Sequence, residues 1–373
     1  GAEQSFKRTL QIDPQAHQAA YNLGVIQNRR GDDEGAKAYY RQALSLQPNY
    51  LPTISALANL QIRTGNLDAA IGFLRDKVAQ YPEDIGILNR YADALIIARR
   101  YNDAIDVAKQ ALRVDERDAD AMLIVGKASL RLGRTELAES IFDQVLEINP
   151  DEAEVYFLRS FIQLERGNKP EARKALKTTL EKDPQHVEAM NNLATQYLLS
   201  GNYTAAIEQL EQAIALAPSW GVLHLNYGNA LRGAGQWEAA QAELNEALRL
   251  DPALAGAHFN LAILYYVAEE IDGLERLDRF KEAKRLFAKY KAEKGSSLAK
   301  DDPVHKYLKE LQIAIEREQR RQEQLAKQAE LEAERAAARE AEGDAGADAG
   351  DEGWEDEGGW EDAEDEWEDE GWE

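Results

Sequence analysis

The stretch AYNLGVIQNRRGDDEGAKAYYRQALSLQP, residues 20–48, sets the pattern for most of this 373-residue chain. Gly24 precedes Ala36 at a fixed separation that recurs in later segments. Two antiparallel helices approach closely only where the facing side chains are small, so this pair predicts a helical hairpin. Gly31 lies where the first helix must end and turn, and Pro48 predicts the end of the second helix, because proline disfavours helical geometry in the residue before it.

The same features recur along the chain at a fixed 34-residue interval, which is the signature of a repeat architecture. The alanine series is Ala2, Ala36, Ala70, Ala104, Ala138, Ala172, Ala206 and Ala240. The small-residue series is Gly24, Ala58, Ala92, Gly126, Ser160, Ala194, Gly228 and Ala262. The proline series is Pro14, Pro48, Pro82, Pro150, Pro184, Pro218 and Pro252, interrupted only by Glu116. We expect each small residue to meet the following alanine, and large residues to fill the gaps between hairpins.

These residues resemble the tetratricopeptide repeat family. The family pattern of large apolar, Leu-Gly, Tyr, Gly, Ala, aromatic, Ala and Pro residues is met by residues 20–48 and again by residues 224–252. The resemblance covers roughly residues 1–290. It implies an all-α, right-handed α-solenoid of helix-turn-helix repeats that binds other proteins and is not an enzyme. Lys77 and Arg159 depart from the pattern, and we expect both to extend their charged groups to solvent.

The spacing also predicts how the chain is divided. Residues 17–254 are expected to form seven repeats, and residues 255–295 an eighth with an insertion near 269–279. Residues 1–16 are interpreted as the second helix of an upstream repeat, so we expect the natural protein to continue upstream. A lone N-terminal capping helix is the alternative.

Beyond the repeats, residues 302–342 are predicted to form a capping helix that continues as a charged helix. Asp302 and Pro303 suit a helix start. The apolar residues that share one face, and are expected to cover the end of the solenoid, are Val304, Tyr307, Leu308, Leu311 and Ile315. From Glu316 onward the helix is expected to be solvated, with a coiled coil as the weaker alternative.

Residues 343–373 are predicted to be a disordered acidic tail. From Glu340 to Glu373 there are 18 Asp and Glu and no Lys or Arg, so this segment carries most of the formal charge of −24. It also holds four of the six tryptophans, which are Trp354, Trp360, Trp367 and Trp372. Because tryptophan is a common binding anchor, we expect a repeated docking peptide. A merely solubilising tail is the alternative.

Composition and motifs argue against other classes of function. The negative charge disfavours general nucleic-acid binding. The absence of cysteine excludes disulfides and cysteine-ligated metals, and no apolar run approaches the ~20 residues needed to span a bilayer. We expect no catalytic site, metal or cofactor, since the known motifs are missing. His224 and His258, which share one repeat position, are expected to be buried rather than to bind metal.

The resemblance implies that the first helix of each repeat lines a concave groove where partner peptides bind. Carried over residue by residue, the groove is expected to include Asn22, Asn28, Asn59, Asn89, Lys127, Phe157, Phe161, Asn191, Asn192, Asn226, Asn229, Arg232 and Asn260. The asparagines at 22, 192, 226 and 260 share one repeat position. An amide both donates to and accepts from a peptide backbone, so this row suits an extended partner. The alternative is a structural role common to the family. Phe157 and Phe161 form either an apolar pocket or a packing contact with the neighbouring helix.

The sequence therefore predicts an assembly scaffold whose groove holds one protein and whose tail docks another. One alternative is a tail that blocks its own groove. Another is the substrate-recruiting arm of an enzyme whose catalytic domain lies outside these residues. The simple Gly-Asn and Gly-Asp turns loosely resemble bacterial envelope-associated repeat lipoproteins. The compartment stays open between the bacterial envelope or periplasm and the cytoplasm, and the oligomeric state is not assigned.

Overall fold

The structure is a computed structural model that describes residues 1–268, 270–271 and 273–345, and within them it contains helices and no strand. A short 3-10 helix covers Gly295–Ser297. The α-helices are α1 (Ala2–Ile12), α2 (His17–Arg29), α3 (Asp33–Leu46), α4 (Leu51–Arg63), α5 (Leu67–Gln80), α6 (Ile85–Ile97), α7 (Tyr101–Val114), α8 (Ala119–Arg131), α9 (Thr135–Ile148), α10 (Ala153–Glu165), α11 (Lys169–Lys182), α12 (Val187–Leu198), α13 (Tyr203–Leu216), α14 (Gly221–Gly233), α15 (Trp237–Leu250), α16 (Ala255–Val267), α17 (Arg276–Lys294) and α18 (Val304–Ala345).

The helices from α2 to α17 form eight hairpins, each of a first and a second helix. The first helices α2, α4, α6, α8, α10, α12, α14 and α16 begin at a regular 34-residue interval, from His17 to Ala255. Each helix packs mainly on the helices before and after it in the chain. The expected fold class, a right-handed α-solenoid, is confirmed.

The interior of a hairpin depends on a small residue in the first helix and a large one in the second. A Cβ atom added to Gly126 would lie 2.5 Å from the Phe142 ring, and one added to Gly228 would lie 2.6 Å from the Leu244 side chain. The alanine of the second helix also meets the small residue, since the Ala240 carbonyl would lie 3.1 Å from the Cβ atom added to Gly228. Leu244, which follows Ala240 by one helical turn, is closer still and fills the space beside Gly228.

Turns within the hairpins follow one pattern. After α2, the Asp32 amide donates to the carbonyl of Gln27 at 3.0 Å, and Gly31 between them has a φ of 81°. This bonding is a Schellman motif, in which the left-handed residue is usually glycine because a Cβ atom is disfavoured there. The same position carries a positive-φ glycine in every hairpin turn from the first to the seventh, except the third, where Arg99 has a φ of 58°.

The eighth hairpin has a longer turn. This turn runs over residues 268–275, whereas the turn after α2 takes only residues 30–32, and α17 has one additional helical turn before Ala283. Ala283, Phe280 and Phe287 are all buried. The Arg279 side chain is also buried and donates to the carbonyl of Ala268, which fixes one end of the longer turn.

The last helix, α18, packs on α17 where the first helix of a ninth hairpin would lie. The Val304 amide donates to Oδ1 of Asp302 at 2.9 Å, so Asp302 caps the start of the helix. Val304, Leu311 and Ile315 are buried against the eighth hairpin. Glu318 is buried as well, so the covered face extends beyond the expected Glu316, whereas every side chain described from residue 319 to 338 is exposed.

The two departures from the repeat pattern behave differently. The Lys77 side chain is buried, and its Nζ donates to the carbonyl of Pro48 at 2.7 Å. Burial lowers the pKa of Lys77. The expectation that Lys77 extends to solvent is therefore wrong, because its ammonium group instead donates to a backbone carbonyl of the preceding connection. Arg159 does reach the surface, where it pairs with Asp143.

Across the described residues, none of the helices combines the length and the apolar character that a membrane span requires.

Candidate binding groove

The curvature of the solenoid follows from which helices touch. Most first helices of neighbouring hairpins contact each other directly, as α4 does with α6 and α12 with α14. The second helices of neighbouring hairpins make no comparable contact within the described part of the chain. A stack whose first helices are closer together curves toward them, so they line the concave side. We call the accessible side chains of the eight first helices the inner groove.

At the N-terminal end, polar side chains of the inner groove are partly engaged. Asn22 is half-buried beside a cavity of about 440 Å³. The Asn28 Oδ1 atom accepts from Arg63 of the next first helix at 2.8 Å, and Arg63 also pairs with Asp33. Asn59, by contrast, is exposed and lines a second cavity of about 290 Å³. Of these three predicted asparagines, Asn59 is the most accessible.

Asn89 holds two hairpins together. It is buried, and its Nδ2 donates to Oδ1 of Asp118 at 2.8 Å. The same Asp118 oxygen accepts from the Ala121 amide at 2.7 Å and so caps α8. Asn89 therefore fixes α6 to the start of α8, and it is not available to a ligand in this conformation.

Three members of the predicted row of asparagines, Asn192, Asn226 and Asn260, form hydrogen bonds within the protein. Asn226 Nδ2 donates to Oδ1 of Asn191 at 2.7 Å, and Asn191 Nδ2 donates to Oδ1 of Asn192 at 3.4 Å. Asn260 Nδ2 donates to the Gly256 carbonyl in its own helix at 3.0 Å. The Asn226 bond links the neighbouring first helices α12 and α14, and the Asn260 bond stays within α16. The role of this row in gripping a peptide backbone stays a prediction.

The centre of the inner groove carries a row of charges that crosses four first helices. Arg90 pairs with Asp93 on α6 at 3.5 Å, and Lys127 of α8 pairs with Glu154 of α10 at 3.0 Å. His186, which caps α12, lies 3.5 Å from the other Glu154 oxygen. We call these five residues the central charge row.

Burial and pairing shift the pKa values in the central charge row. Burial raises the pKa of Asp93 above its ordinary value. The hydrogen bond to Glu154 raises the pKa of His186. Burial acts to raise the pKa of Glu154 as well, but its bonds to His186 and Lys127 bring it below the ordinary value. The row is thus a partly desolvated set of alternating charges, in which electrostatic contacts are stronger than in water.

Sequence reasoning missed Glu154 and His186 as members of this row. Lys127 and Glu154 belong to neighbouring first helices but occupy different positions in the repeat. A series with the repeat spacing therefore does not contain both residues. The signal that could have found them is a pair of opposite charges, one late in a first helix and the other at the start of the next.

Phe157 and Phe161 meet edge to face, with ring centroids 4.9 Å apart. Phe157 also packs on the His186 ring at 4.6 Å and against Leu176 and Leu193. Phe157 therefore contributes to packing between hairpins. Phe161 is half-buried and shares its repeat position with Asn59 and Lys127.

Arg232 lies further toward the C-terminal end. Its Nη2 donates to Asn229 at 2.6 Å, and burial lowers the pKa of the guanidinium. Within the part of the chain that the structure describes, the Nε atom is buried and has no hydrogen-bond partner. Tyr203 and Tyr307 are close enough to influence it electrostatically.

The histidines at one repeat position are buried in packing contacts. His224 lies 2.7 Å from a Glu243 oxygen and 2.9 Å from the Pro218 carbonyl. His258 lies 3.2 Å from a Glu293 oxygen, and burial lowers the pKa of its imidazole. Among the described residues, no group of side chains is arranged to hold a metal ion. The predicted docking residues Trp354, Trp360, Trp367 and Trp372 lie outside the described residues.

Models of known protein families match most of the chain. One model described as "Tetratricopeptide repeat" matches residues 29–89, 129–197 and 163–224. A second model of that description matches residues 1–50 and 89–153, and one described as "TPR repeat" matches residues 228–267. No curated protein sequence matches the chain.

Similar solved structures include the crystal structure of the APC/C hetero-tetramer Cut9-Hcn1, with a TM-score of 0.58 and 16% identity. The match covers 75% of this chain and 52% of that chain, so this chain spans about half its length, and the likeness shows the fold alone. A tetratricopeptide repeat protein from Parabacteroides merdae matches with a TM-score of 0.47 and 17% identity, over 67% of this chain and 99% of that one. MamA matches with a TM-score of 0.37 and 22% identity, over 47% and 95%.

Proposed function

This chain belongs to the tetratricopeptide repeat family, and from that premise we propose that it is a non-catalytic scaffold that holds an extended partner segment in its inner groove. The acidic tryptophan tail, residues 343–373, is the second docking element of the proposal.

The central charge row is the observation that supports this proposal best. Asp93, Lys127 and Glu154 keep about a third of their side-chain surface accessible, at 36%, 27% and 30%. Their charges alternate along the groove, and the exposed Asn59 side chain lines the same cavity as Asp93 and Lys127. A row of this kind offers both donors and acceptors in a partly desolvated trough. It therefore suits a polar segment that carries both signs of charge.

The bonded asparagines limit where such a segment binds. Because Asn191, Asn226 and Asn260 already donate to acceptors within the protein, a ligand that used them would have to displace those bonds. Removing an existing partner from a half-buried polar group costs roughly 1–3 kcal/mol. The charges of the central charge row are paired too, but they stay partly accessible and the Asn59 amide beside them is exposed. We therefore propose that the main binding surface is on α4, α6, α8 and α10 rather than toward the C-terminal end.

Peptide selection followed by point variants tests the proposal. A random peptide display library is selected on the full chain, and the Kd of the best peptide is measured by fluorescence polarisation. We expect Lys127→Ala and Asn59→Ala each to weaken binding roughly tenfold, because each removes one direct polar contact.

Lys109→Ala is the matched control, since Lys109 is an exposed lysine on the second helix α7. The proposal fails if no peptide is selected, or if the selected peptides bind both groove variants as tightly as the unmodified chain.

A further inference from the structure

A second concave site lies at the C-terminal end of the solenoid, outside the central charge row. It is a cavity of about 770 Å³ between α16, α17 and the first half of α18. We call it the α18 pocket. Its floor is apolar: Val267 and Ile313 are 46% and 42% exposed, and the rings of Tyr266 and Phe280 lie 6.0 Å apart beside them. Val267 and Ile313 therefore both line this cavity with partly exposed aliphatic side chains.

Arginines form the rim of the α18 pocket. The Arg276 guanidinium lies 5.5 Å from the Phe280 ring centroid. Within the described residues, neither Arg276 nor Arg317 has a carboxylate partner. On the same helix as Arg317, Arg320 pairs with Glu316 at 3.9 Å.

The two carboxylates that line the pocket are already paired. Glu310 lies 3.6 Å from Lys306, and Glu318 lies 2.7 Å from Arg321. The pocket therefore presents an apolar and aromatic floor with two cations at its edge. A ligand that fits it has a large aromatic ring flanked by carboxylates, because the ring fills the floor and stacks near the arginines while the acids pair with them.

The chain itself supplies a segment of this chemistry. The described residues end at Ala345, and the segment that follows, 346–373, contains Gly-Trp-Glu-Asp twice, Glu-Trp-Glu-Asp once and a final Gly-Trp-Glu. Each motif places a tryptophan next to acidic residues. The segment carries no lysine or arginine, so it has no internal partner for its acids.

Geometry decides which motif reaches the pocket. From Ile313 to Ala345, α18 rises about 48 Å at ~1.5 Å per residue. A chain that turns back at Ala345 spans at most ~3.4 Å per residue. Trp354 can then lie at most about 31 Å from Ala345, which is too short to reach the pocket. Trp360 can lie at most about 51 Å away, so it reaches the pocket only if the chain between is fully extended. Trp367 and Trp372 reach about 75 Å and about 92 Å, which leaves slack.

We propose that the α18 pocket binds the chain's own C-terminal tryptophan motif, at Trp367 or Trp372, with the tail folded back along α18 in the same molecule. A tether of this length gives an effective concentration in the millimolar range, so a weak contact is enough to populate the docked state. The proposal does not depend on what the inner groove binds.

The absence of cysteine makes a distance measurement direct. Nitroxide labels are attached to the full chain at Lys309→Cys, on the exposed side of α18, and at Gly371→Cys in the tail. Double electron–electron resonance then measures the separation. Docking predicts a population below about 25 Å, because the pocket lies within two helical turns of Lys309. A free tail predicts a broad distribution centred at about 60 Å, from helix length and coil dimensions together.

Matched variants identify the site. Arg317→Glu is expected to reduce the short-distance fraction at least about fivefold, since it replaces an attraction by a repulsion. Arg320→Glu makes the same charge change on the same helix, away from the pocket, and should leave that fraction unchanged. The double variant Trp367→Ala with Trp372→Ala should abolish it, whereas Trp354→Ala should not.

Three results overturn the proposal. The first is a single broad distribution in the unmodified chain. The second is a short distance that Arg317→Glu does not change. The third is a short distance that disappears on dilution with unlabelled chain while light scattering shows a doubled mass, because the tail then docks on a second copy. None of these results affects peptide binding at Lys127, so failure here and failure of the groove proposal are distinguishable.

Discussion

At the scale of single residues, the space inside each hairpin is shared between one position of the first helix and one of the second. Where the first helix has glycine, the second helix places a larger group against it, in the pairs Gly24–Tyr40, Gly126–Phe142 and Gly228–Leu244. Phe142 is fully buried, so its ring is enclosed by neighbouring side chains and cannot move out into solvent. The glycine is therefore required by packing, although glycine weakens a helix.

Substitution at Gly126 tests this interpretation. In Gly126→Ala, the new Cβ atom would lie 2.5 Å from the Phe142 ring. We expect a net loss of about 1–2 kcal/mol in the free energy of unfolding, since overpacking outweighs the gain in helix propensity. Urea denaturation followed by circular dichroism measures it.

Gly72 provides the control for that experiment. It lies in the middle of α5, and an added Cβ atom would meet nothing within 4 Å. Gly72→Ala should stabilise the protein by roughly 0.5–1 kcal/mol. If both alanine variants change stability in the same direction, packing against Phe142 is not the reason for glycine at 126.

At the scale of the secondary-structure element, the turns show how one repeat position ends the first helix in each of the first seven hairpins. The turn glycines have φ values between 71° and 81° in the regular hairpins. Arg99 stands in the same repeat series, and among the described residues it is the one non-glycine with positive φ. The Schellman bond is kept there, because the Arg100 amide donates to the Leu95 carbonyl at 2.8 Å. The packing of the third hairpin thus holds Arg99 in a conformation that its Cβ atom disfavours.

Replacing Arg99 should relieve this strain. We expect Arg99→Gly to raise the free energy of unfolding by about 1 kcal/mol, which is the order of the left-handed penalty for a residue with a Cβ atom. Arg99→Ala removes the same charge but keeps the Cβ atom, so it should give no gain. Equal stabilisation by both variants would point to charge rather than to backbone conformation.

At the scale of the whole molecule, each hairpin in the described part of the chain packs mainly on its neighbours, so its stability depends on the contacts with those neighbours. The C-terminal end of the solenoid is covered by α18, whose Tyr307 ring stacks on the Phe287 ring with the centroids 5.1 Å apart. Leu311 of α18 is fully buried, whereas Leu325 on the same helix is 51% exposed. The first half of α18 therefore stabilises the last hairpin, and the second half does not contribute to the core.

Hydrogen exchange followed by mass spectrometry tests whether only the first half of α18 stabilises the last hairpin. Leu311→Ala should lower the local free energy of unfolding by about 2–5 kcal/mol and raise the hydrogen-exchange rates in α16 and α17. Exchange in the first hairpins should stay unchanged, because those hairpins do not pack on α18. Leu325→Ala should leave exchange in α16 and α17 as it was. A uniform rise along the chain after Leu311→Ala would show that the solenoid unfolds as one cooperative unit instead.

The sequence by itself determined the hairpins and the order in which they stack. This was possible because every contact that builds a hairpin joins residues at a fixed separation, so the small residues, turn glycines and prolines each leave a series with the repeat spacing. The spacing of apolar residues also indicated which face of α18 covers the last hairpin.

Only the tertiary structure decided which polar groups are free. Asn226 donates to Asn191, Asn89 to Asp118 and Lys77 to the Pro48 carbonyl, and each of these bonds crosses from one hairpin to another. Their existence depends on the distance and rotation between neighbouring hairpins, which a repeat spacing does not specify. Apolar packing within a hairpin follows a pattern that recurs many times in the sequence, whereas the residue pair that makes each of these three bonds occurs at a single place in the repeat array.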